Sequence, residues 1–371
     1  MLQSIFLITV LSFLAVYLSY FIYIKRNVSK PWNINVDRNF EPKISILIPI
    51  HNEENRIESK LENIKCVSYP AKKMEVIIAD DCSSDNSIIK VRDFMQKNSD
   101  LNIKIVEQKP RAGKSATLNK ALQTATNPII VVSDADTLWP SDILREALPY
   151  LSDRKVGAVT GRGIHKNATD SWVTRSEGSY LQLVNLLRLG ESKIHSTIRF
   201  EGGFCAYKRE VFKSFDCETG ADDSGTALNI IQNGYRTIMI PDAVFYTDFP
   251  SDLIGKFRIK VRRANQLIHL HVKCIKLLLK GRLRLPKRIA IPEITLFIFA
   301  PVMFLILVIT SVGIVILTPL SPIGLAILVV TISLLIFARQ FFFEILINNF
   351  ILLYALLTFL FKKRYIAWDK R

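Results

Sequence analysis

The sequence Glu75-Val-Ile-Ile-Ala-Asp-Asp81 carries an apolar run into a pair of carboxylates, and Pro128-Ile-Ile-Val-Val-Ser-Asp-Ala-Asp136 does the same further along the chain. A short continuous apolar run is typical of a strand that is buried on both faces of a parallel sheet. Ligands of open α/β sheets bind just beyond the carboxyl ends of the strands. The sequence therefore predicts that both acidic groups lie at the ligand-binding edge of one sheet.

Strand-like and helix-like segments alternate through the middle of the chain. We expect strands at 43–50, 74–79, 103–106, 129–132 and 156–160, and helices at 53–64, 87–96, 114–124 and 141–151. Strands separated by helices of this size are typical of βαβ units. The predicted fold class is therefore α/β with a mostly parallel sheet.

Apolar regions flank this α/β segment in a chain of 371 residues that is 49% hydrophobic. Residues 1–24 carry no charged side chain and are followed by Lys25, Arg26 and Lys30, and residues 294–338 are also uncharged. A signal peptide carries its positive charge before the apolar core. Because the charge here comes after it, we interpret 1–24 as an uncleaved transmembrane helix. The positive-inside rule then places residues 25–250 in the cytoplasm, as part of an integral protein of the cell membrane.

The net charge of +16 is concentrated ahead of the second apolar region, since residues 251–291 hold twelve Lys or Arg and a single acid. Apolar residues from Leu253 to Leu279 recur at helical spacing, with Lys256 expected elsewhere on the helix surface. This pattern favours a basic amphipathic helix in the lipid headgroup plane, and a helix packed on the catalytic sheet is the alternative. Interleaved aromatic residues are missing, so we do not expect nucleic-acid binding.

The segment 340–361 is apolar but contains Glu344, Asn348 and Asn349. If it crossed the bilayer, the basic tail 362–371 would lie outside, against the positive-inside rule. We therefore expect three spanning helices in the chain, with 292–361 contributing both spanning helices and a membrane-lying or re-entrant segment, and a cytosolic tail. A fourth span is the alternative.

Asp134 and Asp136 have the chemistry of a cation site. Mg²⁺ and Mn²⁺ take oxygen ligands, often one or two carboxylates together with substrate phosphates. A solvated turn is the alternative. For Asp80-Asp81 the alternative is an Asx turn that caps the next helix.

Two further segments have polar groups suited to a ligand. Ala112-Gly-Lys-Ser-Ala-Thr117 is not a P-loop, because Gln108 stands where that motif needs glycine. Arg111 and Lys114 could instead meet donor phosphate or base, or form a basic surface turn. Phe200-Glu-Gly-Gly-Phe204 could bring backbone close to a ligand or form a simple hairpin. Asp222-Asp223 precede a helix, where they could serve only as its N-cap and first-turn charge.

In order and spacing, these blocks resemble the family 2 glycosyltransferases of the membrane-bound branch that includes cellulose, chitin and hyaluronan synthases. The likeness spans roughly residues 43–250 and implies a GT-A fold, a nucleotide-sugar donor and Mg²⁺ or Mn²⁺. It implies that Asp223 is the general base beside Asp222, that Asp136 with Asp134 holds the metal, and that Asp81 holds the nucleobase or ribose. The implied donor-binding residues are Pro49, His51 (where the family has Tyr), Glu53, Asp81, Arg111, Lys114, Asp134 and Arg262. The implied acceptor-binding residues are Gly202 and Gly203.

One motif departs from the family. Processive synthases carry a QxxRW motif on an interfacial helix, and Ile259-Lys-Val-Arg-Arg263 stands there with only Arg262 retained. The missing Trp weakens the expectation of a long polymer. We expect inverting transfer from a nucleotide-sugar, a UDP-sugar in the first instance, to a hydroxyl of a lipid-linked or growing glycan. A polyprenyl-phosphate glycosyltransferase and a non-catalytic membrane sensor of sugar nucleotides are the alternatives.

Overall fold

The computed structural model describes residues 1–361, apart from the side chain of Phe341, and the predicted basic tail 362–371 lies outside the described residues. The described chain divides into two compact units. We call residues 26–251 the α/β unit. We call residues 1–25 together with 252–361 the helical unit.

The α/β unit is built on one seven-stranded sheet. Its strands are β1 (Ile44–Ile50), β2 (Met74–Asp80), β3 (Ile103–Glu107), β4 (Ile129–Val132), β5 (Val156–His165), β6 (Cys205–Lys208) and β7 (Arg236–Thr247). Their order is β3-β2-β1-β4-β6-β5-β7. β6 pairs antiparallel with β4 and β5, and the other neighbours are parallel. The predicted α/β fold with a mostly parallel sheet is confirmed.

Six α-helices accompany the sheet: α2 (Ile57–Lys65), α3 (Ser87–Lys97), α4 (Lys114–Thr124), α5 (Ile143–Ala147), α6 (Trp172–Ile194) and α7 (Asp222–Gln232). The bounds of α4 match the predicted 114–124. The predicted helix at 53–64 begins only at Ile57, since residues 54–56 form a turn in which Arg56 N donates to Glu53 O at 2.9 Å. The N–H groups of Glu53 and Glu54 donate to the side chains of Ser87 and Asp85. The predicted helix at 141–151 is the short α5 followed by a 3-10 turn, Leu148–Ser152.

The central strands explain where the acidic groups lie. Every residue of β1, β2 and β4 is buried, as a sheet covered on both faces requires. β1 pairs in parallel with β2 on one side and β4 on the other. The carboxyl ends of β2 and β4 therefore lie on the same edge of the sheet, with only β1 between them, and this edge carries Asp80-Asp81 and Asp134.

Glu75 is a buried carboxylate that ties four chain segments together. It accepts hydrogen bonds from the Ser45 hydroxyl on β1, from Lys104 Nζ on β3 at 2.8 Å, and from Thr126 N and Oγ1 before β4 at 2.6 and 2.9 Å. Burial alone raises the pKa of Glu75, but the hydrogen bonds from Lys104, Ser45 and Thr126 outweigh it and lower that pKa to about 2.

Glu75→Gln is therefore expected to lower the free energy of unfolding by about 2–4 kcal/mol, because buried donors lose a charged acceptor. The folded-state pKa lies below the unfolded one, so the carboxylate stabilises the fold above about pH 4.5 and this contribution disappears as the pH falls towards 2. Thermal unfolding of the purified protein at pH 7 and pH 3 measures both effects. Glu62→Gln, at an exposed site on α2, is the control, and equal melting temperatures for both variants would contradict this role.

The helical unit contains α1 (Leu2–Val28) except its last three residues, α8 (Leu253–Leu279), α9 (Lys287–Ile294), α10 (Ala300–Leu317), α11 (Pro322–Phe337) and α12 (Arg339–Leu360). α1 extends the predicted 1–24 segment to Val28. Among the described residues, three helical stretches are long and apolar enough to cross a membrane: Leu2–Val28, Lys287–Leu317 and Phe342–Leu360. α11 is apolar but shorter.

The predicted surface position of Lys256 on α8 is wrong. Its side chain is fully buried and pairs with Glu344 of α12, with Nζ 2.6 Å from Oε1. Leu253 and Leu279, which the spacing placed on the apolar face, are exposed. The periodicity of α8 alone gave no sign that another helix supplies a carboxylate to a cation on its buried side.

Candidate active site

Lys114 lies at the centre of an acidic cluster at the carboxyl edge of the sheet. It is the first residue of α4, and its Nζ lies 2.9 Å from Asp134 Oδ1, just after β4. The same Nζ lies 3.0 Å from Asp222 Oδ2 and 3.5 Å from Asp223 Oδ2, in the first turn of α7. Three predicted site segments that are far apart in sequence therefore meet at one ammonium group.

The charges of this cluster are strongly coupled. Burial alone lowers the pKa of Lys114, but Asp134, Asp222 and Asp223 outweigh it and raise that pKa well above its usual value. Burial, followed by the charge of Asp222, raises the pKa of Asp223 well above the usual range, although Lys114 opposes this. Three carboxylates face one ammonium group, so the pocket can accommodate further positive charge.

The donor set suits a divalent cation that arrives with its substrate. Asp134 and Asp136 share the loop that follows β4. Among residues 1–361, no group of three or more His, Cys, Asp or Glu side chains forms a complete metal cage. Mg²⁺ is commonly held by one or two carboxylates plus substrate phosphates, so these residues fit a cation completed by a diphosphate. The predicted metal roles of Asp134 and Asp136 stay predictions.

Asp81 holds the loop that presents Lys114. Its fully buried carboxylate accepts hydrogen bonds from Ala112 N at 2.8 Å, from Gly113 N at 2.9 Å and from Thr117 Oγ1 at 3.1 Å. Gly113 has φ +88°, a conformation that side chains rarely adopt, and α4 starts at the next residue. A carboxylate at a helix N-terminus is favourable. Asp81 thus fixes the start of α4, and its predicted contact with nucleobase or ribose stays a prediction.

Two other predicted donor-binding residues, Arg111 and His51, contact Asp81. Arg111 Nε lies 3.7 Å from Asp81 Oδ2. Pro49 sits in β1 opposite Ala79, and His51 Nδ1 lies 2.8 Å from the carbonyl oxygen of Asp81. Glu53 follows in the same loop. Arg262 lies on α8 of the helical unit. Their roles in donor binding stay predictions.

Gly202 and Gly203 are closely packed, Gly202 against the acidic cluster and Gly203 against the Phe245 ring. A Cβ on Gly202 would lie 2.6 Å from Lys114 Nζ and 2.7 Å from Asp134 Oδ2, and Gly202 O accepts a hydrogen bond from Asp134 N at 2.9 Å. A Cβ on Gly203 would lie 2.1 Å from the Phe245 ring. This segment leads from α6 into β6, so the hairpin alternative is wrong, while the acceptor role of the two glycines stays a prediction.

Lys60 is a site residue that the sequence interpretation missed. It is fully buried on α2, its Nζ donates to Thr137 O at 2.9 Å, and it lies 4.4 Å from the centre of the Trp139 ring. Burial lowers the pKa of Lys60 to about 7, although the charges of Asp134 and Asp136 raise it. The available signal was its helical spacing with Ile57 and Ile64, which places a lysine on the buried face of α2.

Lys60→Met is expected to loosen the loop 134–139 and lower any activity of this site about 10-fold, because Thr137 O loses its donor and a displacement of about 1 Å in a site is costly. The free energy of unfolding should fall by about 1–3 kcal/mol. Initial rates and thermal unfolding measure these effects, with the exposed Lys72→Met as the control. Wild-type rates in Lys60→Met would show that the loop does not depend on this lysine.

Comparison with known proteins places the α/β unit in a class. Residues 45–215 match Glycosyl transferase family 2. The solved structure of the mannosyltransferase PcManGT from Pyrobaculum calidifontis, in complex with GDP-Man and Mn²⁺, superposes with a TM-score of 0.84 at 30% identity, covering 98% of this chain and 100% of that one. The chain therefore belongs to glycosyl transferase family 2, which confirms the resemblance and the GT-A fold.

Two curated relatives are more distant. The probable glycosyltransferase YdaM of Bacillus subtilis (strain 168) is 27% identical over 260 residues, which cover 66% of this chain and 59% of YdaM. The poly-β-1,6-N-acetyl-D-glucosamine synthase of Staphylococcus aureus (strain MSSA476) is 25% identical over 245 residues, which cover 65% of this chain and 58% of the synthase. The match spans less than two-thirds of the length of these relatives.

Proposed function

We propose that the protein transfers a sugar from a nucleotide-sugar to a hydroxyl group of a lipid-linked or growing glycan, by one in-line displacement that inverts the anomeric centre. The observation that carries this proposal is the convergence of Lys114, Asp134, Asp222 and Asp223 at the carboxyl edge of the sheet. Family membership supports the reaction class, and the cluster supplies groups for it.

Asp223 is the proposed general base. Its carboxyl group is buried and its pKa is raised, and a base is most effective when its pKa approaches the working pH. Asp222 lies beside it and disfavours the charged form of Asp223, which keeps the proton affinity high. This feature favours a hydroxyl acceptor over the polyprenyl-phosphate alternative, because a phosphate nucleophile needs no strong base.

Lys114 and the loop after β4 are the proposed diphosphate-binding groups. Asp134 and Asp136 would hold a divalent cation, which when bound supplies charge neutralisation for the departing diphosphate. Lys114 pairs with three carboxylates. Its ammonium group can turn to the phosphates once the donor is present, which would leave Asp223 free to accept the acceptor proton.

The donor class is proposed as a nucleoside diphosphate sugar. UDP-sugars are the first candidates by the sequence resemblance, and GDP-mannose is the second because PcManGT was solved with GDP-Man and Mn²⁺. We propose that the α/β unit faces the cytoplasm at the cell membrane. The long apolar helices and the basic residues Lys25, Arg26 and Lys30, at the end of α1 and just after it, support this orientation.

The test is incubation of purified protein in lipid vesicles with radiolabelled UDP- and GDP-sugars and lipid extracts, with Mn²⁺, Mg²⁺ or EDTA. We expect metal-dependent transfer of label into a lipid-linked or glycan product from one donor, and product size distinguishes single transfer from polymerisation. Nucleotide binding without transfer from any donor would favour the sensor alternative and overturn the proposal. Rapid consumption of polyprenyl phosphate that survives Asp223→Asn would favour the phosphate acceptor.

A further inference from the structure

Helices α8 and α12 of the helical unit run side by side in the same direction. Lys256 Nζ on α8 contacts Glu344 Oε1 at 2.6 Å, and further along both helices Asn265 Nδ2 donates to Thr358 Oγ1 at 3.0 Å. The His269 ring then packs edge-on against Phe359 with 4.7 Å between ring centres. The residue numbers of the contacting pairs rise together on α8 and α12, so the two helices run parallel. The contact extends over 13 residues of α8, about 20 Å at 1.5 Å per residue.

The charge of α8 fixes its relation to the membrane. Its cationic residues are Lys256, Arg258, Lys260, Arg262, Arg263, Lys273 and Lys276. Each Lys or Arg at the centre of a spanning helix costs about 2.5–3.5 kcal/mol, so α8 cannot be a transmembrane helix. A helix this rich in Lys and Arg is suited to the membrane interface, where its cationic side chains can meet lipid headgroups. A helix in sustained parallel contact with α8 must share its inclination.

The polar and apolar side chains of α12 lie on different faces of the helix, as expected for a helix that lies beside α8 at the membrane interface. Glu344 and Thr358 point at α8, and Asn348 Nδ2 donates to Glu344 Oε2 at 3.2 Å within the same seam. On other faces of α12, large apolar side chains are exposed. These are Phe343, Phe350, Leu357 and Leu360. α12 therefore carries polar side chains, Glu344 and Thr358, on the side that meets α8, and large apolar side chains where lipid acyl chains would cover it.

We propose that α12 lies beside α8 in the lipid headgroup and upper acyl region on the side of the α/β unit, and does not cross the bilayer. Length and composition alone mark Phe342–Leu360 as a candidate span. In the proposed arrangement α10 crosses and α11 returns. The return places the end of α12 on the side that the positive-inside rule requires for the basic residues after it. This inference rests on the proposed membrane location and is tested separately from sugar transfer.

Labelling of single cysteines with a membrane-impermeant maleimide decides the topology. The background has all five native cysteines replaced and retains the wild-type melting profile, and Cys is placed at Leu320, Gln340 or Phe361, with native Cys66 restored as the reference on the α/β unit. All four positions are exposed. In sealed vesicles of one orientation, we expect Gln340→Cys and Phe361→Cys to label from the side of Cys66, and Leu320→Cys from the other side.

Any result that puts residues 340 and 361 on opposite sides of the membrane overturns the proposal. If Gln340→Cys labelled from the same side as Leu320→Cys, and Phe361→Cys from the same side as Cys66, then Phe342–Leu360 would be a span in place of α11. If Phe361→Cys labelled from the same side as Leu320→Cys, and Gln340→Cys from the same side as Cys66, then both α11 and α12 would cross the membrane.

A charge exchange tests the seam itself. Lys256→Glu places two carboxylates together and is expected to alter Phe361→Cys labelling at least several-fold, while Lys256→Glu with Glu344→Lys restores it. Arg258→Glu is the matched control, because Arg258 is exposed on a different face of α8 from Lys256. This variant should leave the labelling of Phe361→Cys unchanged. Unaltered labelling in Lys256→Glu would show that the ion pair does not hold α12 at α8 and would contradict the proposal.

Discussion

Asp223→Asn is expected to reduce transfer by about 10²–10⁴-fold, the usual contribution of a general base, while donor binding stays nearly unchanged. The amide fits the same space beside Lys114 but cannot accept the acceptor proton. Initial rates with saturating donor and acceptor, together with nucleotide binding measured by calorimetry, separate the two effects. Normal turnover in this variant would show that another group is the base.

The same substitution is expected to raise the melting temperature at neutral pH. The pKa of Asp223 is raised on folding by burial and by Asp222, so the folded state resists its ionisation. As the pH rises above the unfolded-state pKa of about 3.9, the wild type loses stability until the folded-state pKa is reached. Below the unfolded-state pKa, Asp223 is neutral in both the folded and the unfolded protein. The gain of Asp223→Asn should therefore appear at pH 7 and vanish at about pH 3.5. Asp93→Asn, at an exposed site on α3, controls for the loss of one charge.

The wild-type rate should depend on pH in the corresponding direction. Because the base must be ionised, transfer is expected to rise with pH, with an apparent pKa above the ordinary range of aspartate. A rate that is independent of pH above 5 would contradict the raised pKa of the working base.

Gly202→Ala is expected to reduce transfer about 100-fold with a small effect on stability, since misplacement of a catalytic group by about 1 Å has consequences of this size. The new Cβ would meet the ends of two flexible side chains, Lys114 Nζ at 2.6 Å and Asp134 Oδ2 at 2.7 Å. These ends can move without disturbing the core, so the fold survives while their ion pair is displaced. Rates, metal dependence and thermal unfolding measured on the same preparation distinguish a displaced site from a damaged fold.

Gly178→Ala on α6 is the matched control for this substitution. Its Cβ would meet only Ala168 Cβ, at an ordinary contact distance of 3.4 Å. Wild-type rates are therefore expected for Gly178→Ala. If Gly202→Ala were equally active, the close approach of this glycine to Lys114 and Asp134 would not matter for transfer.

The sequence predicted the centre of the sheet well because its signal is local. Buried parallel strands are continuous apolar runs, so β4 was placed at its observed bounds and β1 and β2 to within one residue. The motifs at their carboxyl ends then followed from the geometry of parallel sheets. α6 and β7 were not predicted, because their patterns mix buried and exposed residues without a simple period.

Charged residues were interpreted less well than apolar ones. Lys60 and Lys256 are both fully buried, yet a lysine in a helix is ordinarily assigned to solvent. Each is stabilised by a partner more than 70 positions away, Thr137 O for Lys60 and Glu344 for Lys256. No local periodicity contains that information, because the cost of burying a charge is offset only by groups that the fold brings to it.

The sequence by itself determined the central strands, the acidic groups at their ends and the apolar helices, because burial on both faces and a length suited to a bilayer each need an apolar pattern that can be read within one segment. Only the tertiary structure decided that Lys114 joins Asp134, Asp222 and Asp223, and that α12 pairs with α8 through Lys256 and Glu344. Such pairings depend on distances between side chains from remote segments, and those distances exist only after the chain has folded.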